Sequence, residues 1–289
     1  MTAFTTRYRT ATVGGHEIFY RSAGDPANPT VVLLHGFPAS SFMYRALIAE
    51  LADSYHLVAP DHLGFGRSAA PSVEEFEYTF DALSAITSEL LDQLGLDRYA
   101  LFMQDYGAPI GFRIASQQPA RITALISQNG NAYLDGITPF WEPLLAFAAD
   151  GVTNAELVRA SLEPAGTQWV YTHGVPADRL DRVSPDSWTM DQARLDRPGN
   201  KEIQLALFRD YRFNLELYPK FQEYFRTHQP PTLAVWGAHD EIFGPDGARA
   251  FARDLPDAEI HLLDAGHFAL ESSGDEIADL TRSFLRRVL

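Results

Sequence analysis

Three titratable side chains sit just past apolar runs in this chain, and their types and order suggest a chemistry. Asp105 follows the run Tyr99–Met103 within the stretch Ala100–Gly111, where Gln104-Asp105-Tyr106-Gly107 reads as a sharp turn into a helix over Ala108–Gln118, closed by Pro119. Such a strand–turn–helix elbow presents its tip residue at the carboxyl edge of a parallel sheet. Asp240 follows the run Thr232–Trp236, and His267 follows Glu259–Leu263. Each residue has a plainer reading by itself: Asp105 as the N-cap of the helix, Asp240 and His267 as turn and loop residues. Together they form a nucleophile, an acid and a base. A carboxylate with a pKa near 4 is already ionised at neutral pH, so it needs no base to attack an sp³ carbon that carries a leaving group. Attack on a carbonyl would instead give a mixed anhydride. The alkyl ester so formed is opened by a water that His267 deprotonates while Asp240 orients the imidazole.

The elements that must position these residues are legible in the hydrophobic pattern. Arg7–Val13 and His16–Ser22 alternate around Gly14-Gly15, which predicts an opening hairpin. Thr30–Leu34 is a buried-strand run that ends in His35-Gly36-Phe37-Pro38, and helix Tyr44–Ala52 with strand His56–Pro60 completes a βαβ unit. A helix over Thr79–Leu94, the elbow strand and a strand over Ile122–Ser127 follow. From Tyr133 to Tyr218 the texture is helical, broken by prolines, with no strand signal, and it contains Trp141, Trp169 and Trp188. Alternation then resumes with Thr232–Trp236, helix Gly247–Asp254, strand Glu259–Leu263 and a closing helix over Asp275–Val288. The expected architecture is an α/β core over 1–132 and 219–289, with a mostly parallel eight-stranded sheet and a helical cap at 133–218 inserted after the sixth strand.

Over essentially its whole length the chain resembles the α/β-hydrolase superfamily, and within it the aspartate-nucleophile branch of epoxide hydrolases and haloalkane dehalogenases. His35-Gly36-Phe37-Pro38, Gln104-Asp105-Tyr106-Gly107, Asp240 and Gly266-His267-Phe268 carry the resemblance. It implies an oxyanion hole from the backbone N–H groups of Phe37 and Tyr106. It also implies hydrolysis of an epoxide, with a haloalkane as the alternative substrate; esterase chemistry of the serine type and a non-catalytic relative come behind these. Dehalogenases hold halide with a Trp directly after the nucleophile and an Asn after His-Gly, or with a lid Trp. Here Tyr106 and Phe37 fill the first two places, which leaves Trp141, Trp169 or Trp188 in the lid. Epoxide hydrolases use lid tyrosines, and Asp210-Tyr211-Arg212-Phe213-Asn214 is similar to their lid segment, which maps Tyr211 onto one of them; Tyr171 is the first candidate for the other, ahead of Tyr133 and Tyr218. Met103 stands where the serine elbow has glycine, and Gln104-Asp105 is closer to the dehalogenase elbow than to the His-Asp of epoxide hydrolases. Asn129 occupies a place where some dehalogenases keep the triad acid; being uncharged, it leaves that role to Asp240.

Composition narrows the partners. Lys and Arg number 23 against 38 Asp and Glu, a formal charge of −15, which disfavours nucleic acid and anionic membrane surfaces. There are 0 cysteines, so disulfides and thiolate metal sites are excluded. No His spacing suits a metal site on one helix, and no phosphate or dinucleotide loop is present, so neither metal nor cofactor is expected. The start of the chain has no apolar targeting segment and no run long enough to span a membrane. The expectation is a cytoplasmic monomer or homodimer acting on a hydrophobic small molecule and water.

Overall fold

A computed structural model describes residues 5–289 of the chain. Its centre is a single 8-stranded sheet in the order β1-β2-β4-β3-β5-β6-β7-β8. The hairpin β1 (Arg7–Val13) and β2 (His16–Ala23) turns at Gly14-Gly15, and β2 joins β4 (His56–Pro60) antiparallel. From β4 onward every pairing is parallel: β3 (Thr30–Leu34), β5 (Tyr99–Gln104), β6 (Ile122–Gln128), β7 (Thr232–Gly237) and β8 (Glu259–Leu263). Strands β5 and β7 are buried at every residue, because a parallel strand covered on both faces has no solvent side to make polar.

The crossovers are α1 (Arg45–Leu51), preceded by a short 3-10 turn over Ser41–Tyr44, then α2 (Phe80–Gln93) and α3 (Gly107–Gln117). Thr79 starts α2 by accepting the Ala82 N–H on its side chain. Five helices then separate β6 from β7: α4 (Trp141–Asp150), α5 (Ala155–Ala160), α6 (Pro164–Thr172), α7 (Pro185–Leu195) and α8 (Asn200–His228). The helical segment therefore outruns the 218/219 boundary expected from sequence. That boundary falls inside α8, just before Pro219, and the helix continues to His228. Helices α9 (Pro245–Asp254), α10 (Ala269–Ser272) and α11 (Gly274–Val288) complete the chain, and α11 packs against α1. Among the described residues no helix is long and apolar enough to cross a membrane.

This topology places the site. The chain leaves β3 toward β4 on one side and returns to β5 on the other, so the carboxyl ends of β3 and β5 flank a topological switch point, the usual location of ligands in open α/β sheets. His35-Gly36-Phe37 leaves β3, Asp105 leaves β5, Asn129 leaves β6, Asp240 follows β7 and His267 follows β8. Parallel pairing brings all five departures to one edge.

Candidate active site

At the end of β5 the backbone turns sharply: Asp105 has φ 48°, a left-handed conformation uncommon for a residue with a side chain. Its carboxylate does not cap α3. The N-cap position falls on Tyr106, with no side-chain bond, and the Asp105 side chain points across the sheet edge instead. Oδ1 accepts the Phe37 N–H at 2.7 Å, and Oδ2 lies 3.6 Å from His267 Nε2. Met103 fits in place of glycine because Gly111, one helical turn into α3, leaves room for it: a Cβ at Gly111 would stand 2.3 Å from the Met103 sulfur.

His267 is held on both sides. Its Nδ1 is 2.8 Å from Asp240 Oδ2, and its Nε2 is 3.0 Å from the Gln104 amide nitrogen. Asp240 Oδ1 accepts the N–H groups of Ile242 and Phe243 at 2.8 and 3.2 Å, while Oδ2 also accepts from Asn129 Nδ2 at 2.6 Å. Asn129 in turn takes the Gly237 N–H at 3.1 Å. The place where a carboxylate could have stood thus holds an amide that fixes Asp240. Burial opposes a charge on His267, but Asp240 and Asp105 outweigh it and raise the imidazole to about 10.

These groups open onto a cavity of about 360 Å³ whose wall is almost entirely apolar. Asp105 and His267 form its polar end; Phe37, Tyr106, Trp141, Trp169 and Phe208 supply much of the rest. The lid candidates fare differently. Trp141 lines the cavity with its ring, but its indole N–H donates to the Ile242 carbonyl at 2.8 Å. Trp169 lines the cavity and stacks on Phe140 with ring centroids 5.6 Å apart. Tyr171 is not on the wall. Its hydroxyl donates to Asp191, and its ring lies 3.9 Å from that of Phe268, beside His267. The expectation that Tyr171 faces substrate is therefore corrected: the Asp191 carboxylate on α7 draws its hydroxyl in among the helices between β6 and β7. Trp188 packs near the same tyrosine.

Tyr211 is buried behind the wall, between Trp141 at 4.2 Å, Phe80 at 5.5 Å and Tyr106 at 5.8 Å between ring centroids. The Tyr106 hydroxyl lacks a hydrogen-bond partner, and that of Tyr211 lies beside the Tyr218 hydroxyl. Burial keeps each well above the ordinary tyrosine range, reinforced by Tyr218 and Asp105 for Tyr211 and by Asp105 for Tyr106. The residues around Tyr211 anchor α8: Asp210 accepts the Phe80 N–H at 2.7 Å, Asn214 accepts from Arg113 at 2.7 Å, and Arg212 donates to Ala148 O at 3.0 Å at the end of α4.

Sequence reasoning did not assign a task to Gln104, and Phe208 and Ile242 went unremarked. A lone amide ending an otherwise apolar strand, directly before the elbow carboxylate, was the available signal for Gln104.

A family model for the alpha/beta hydrolase fold matches residues 29–273. The chain belongs to the α/β-hydrolase fold family. Among the relatives of this α/β hydrolase, an uncharacterized hydrolase of Saccharomyces cerevisiae is 42% identical over 270 residues, 92% of each chain. Haloalkane dehalogenase 2 of Mycobacterium tuberculosis is 31% identical over 264 residues, covering 86% of this chain and 85% of that one. The crystal structure of the haloalkane dehalogenase DatA from Agrobacterium tumefaciens superposes with a TM-score of 0.82 at 20% identity, over 98% of this chain and 97% of the other, a likeness of fold.

Proposed function

We propose that this α/β hydrolase cleaves an electrophilic sp³ carbon through an ester on Asp105, and that its substrate is an apolar epoxide. The observation that carries this reading is the position of the Asp105 carboxylate. It is held at the floor of an apolar cavity by the Phe37 N–H, within reach of His267, at the tip where the fold presents a nucleophile. In the first step an Asp105 oxygen bonds to the epoxide carbon as the carbon–oxygen bond of the ring breaks. In the second, His267 takes a proton from water, whose oxygen attacks the ester carbonyl, and the oxyanion is met by the N–H groups of Phe37 and Tyr106.

The charge balance times the two steps. Before attack His267 lies between two carboxylates and its pKa stands near 10. Esterification removes the charge on Asp105, which lowers the imidazole pKa and so favours the neutral ring, the form able to take a proton in the step that needs one.

Leaving-group chemistry favours epoxide over halide. The Trp141 N–H is already bonded within the protein, whereas Tyr106 on the cavity wall carries an unpartnered, neutral hydroxyl and Tyr211, packed behind it, a neutral hydroxyl beside that of Tyr218. A tyrosine O–H protonates the opening oxygen; a halide has no such need. The haloalkane reading keeps the support of the 31% identical dehalogenase and of Trp169 on the wall. Both readings share the ester, and one experiment tests it. His267→Gln incubated with an aryl epoxide accumulates an adduct on the peptide that carries Asp105, seen by mass spectrometry; absence of an adduct with aryl epoxides and bromoalkanes alike would sink the reading. Diol and bromide release followed separately in the native protein then distinguish the substrates.

A further inference from the structure

Gln104 ends β5 one residue before Asp105, and its side chain is fully buried. Its amide nitrogen is closer to His267 Nε2, at 3.0 Å, than Asp105 Oδ2 is, at 3.6 Å. The amide oxygen has no hydrogen-bond partner. It packs against the loop that carries the Phe37 N–H, where a Cβ at Gly36 would stand 2.5 Å from it. Across the parallel pair, Gln128 occupies the matching register position on β6 and donates to the His267 carbonyl at 3.2 Å. One glutamine therefore holds the main chain of the base and the other its ring. The charged groups facing His267 are Asp240 at Nδ1 and Asp105 at Nε2, while Phe243 and Phe268 pack around the ring. A buried amide oxygen left without a donor is costly, and it is explained when another state of the site uses it.

We propose that Gln104 is a positioning residue that follows the proton state of His267: its N–H donates to Nε2 while the ring is neutral, and the amide turned over presents Oε1 to Nε2–H once the ring has taken a proton. The inference rests on the reading of His267 as the base in ester hydrolysis. In that step water displaces the amide N–H from Nε2 and gives the ring its proton, and the hydroxide oxygen bonds to the ester carbonyl carbon. The bond from that carbon to the alkyl oxygen then breaks, the departing alkoxide takes the proton from Nε2, and Asp105 returns to a carboxylate with one proton lost to solvent. The amide exchanges a neutral hydrogen bond for a charge-assisted one as the proton moves, so it favours the transition state over the ground state.

The test begins without substrate. Imidazole ¹⁵N NMR of the full chain follows the His267 midpoint and tautomer in the native protein, in Gln104→Met, which keeps length but cannot hydrogen-bond, and in Gln104→Glu. Gln104→Met is expected to lower the midpoint, because the stronger, charge-assisted bond is lost; Gln104→Glu is expected to raise it by roughly one unit or more. Either variant alone, if the other does not fold, decides the question, and an unchanged midpoint and tautomer in a folded variant overturns the proposal. Single-turnover kinetics add a second readout: in Gln104→Met, ester hydrolysis slows about tenfold more than ester formation, equivalent to ~1.4 kcal/mol, with a shifted pH profile. Equal slowing of both steps with an unshifted profile also overturns it. If no ester forms in any variant, the proposed function fails, and the NMR comparison still decides the role of Gln104.

Discussion

At Asp105 the two carboxylate oxygens have different partners: one accepts the Phe37 N–H and the other faces His267. Replacing that charge is expected to be felt by the imidazole. In Asp105→Asn the His267 midpoint falls from its raised value near 10, and in Asp240→Asn it falls further, since Asp240 contributes more than Asp105; ¹⁵N NMR titration measures both. The same coupling is a stability term with a definite sign. A histidine raised in the folded state contributes fully below its unfolded pKa of about 6.5 and loses that contribution as pH climbs toward 10. Thermal melts of native protein should therefore fall more between pH 7 and pH 10 than those of His267→Gln. Tyr211 carries the prediction that separates substrates. Tyr211→Phe removes only one buried hydroxyl, so it is expected to cut epoxide turnover by roughly a hundredfold or more without loss of fold. Undiminished turnover would dismiss it as the acid.

The elbow depends on the fit between one strand and one helix. Met103 on β5 and Gly111 on α3 are complementary, and the missing Cβ at 111 is what admits the sulfur. Gly111→Ala is expected to destabilise the fold by about 1–3 kcal/mol, the usual cost of overpacking a core, measured by urea denaturation. In the Met103→Ala background the same change should cost much less, because residues in contact are not additive. The elbow strand itself is readable in sequence as a buried run, and α3 as a helix that follows the turn and is closed by Pro119. Asp105 by itself reads equally well as a cap or a nucleophile; its succession with Asp240 and His267 makes it the candidate nucleophile, and only the structure shows its carboxylate turned away from α3. Tyr171 was misplaced for a similar reason. Its spacing put it on a cap helix, but only the approach of α7 brings Asp191 to its hydroxyl.

Across the molecule, the helices between β6 and β7 meet the rest of the chain through a partly buried polar cluster. Arg45 donates to both oxygens of Glu271 at 2.9 Å, Ser187 on α7 donates to the same carboxylate at 3.0 Å, and Asp191 lies in the same neighbourhood. Burial is the main cause that lifts Asp191 to about 8, against the bond from Tyr171, with Asp61 and Glu271 adding to it. A carboxyl raised on folding binds more protons folded than unfolded between about pH 4 and pH 8, so stability falls as pH rises through that window. Asp191→Asn still accepts the Tyr171 O–H and cannot ionise. Its melting temperature is expected to drop less than that of the native protein between pH 5 and pH 8, and an equal drop would locate the pH dependence elsewhere.

The sequence by itself determined the strand order along the chain, the interruption of the sheet by a helical segment, and the succession of Asp105, Asp240 and His267. Hydrophobic period and turn chemistry are local properties, written residue by residue. Tertiary structure alone decided which side chains meet. Parallel pairing gathers the ends of β5, β7 and β8 to one edge, so residues 27 to 163 positions apart along the chain come within hydrogen-bond distance of His267. It also decided that the Trp141 N–H is bonded to Ile242, that Tyr171 turns to Asp191, and that Gln104 and Asn129 contact His267 and Asp240. Those outcomes depend on the packing of distant elements, and no local pattern encodes a partner that arrives from another part of the fold.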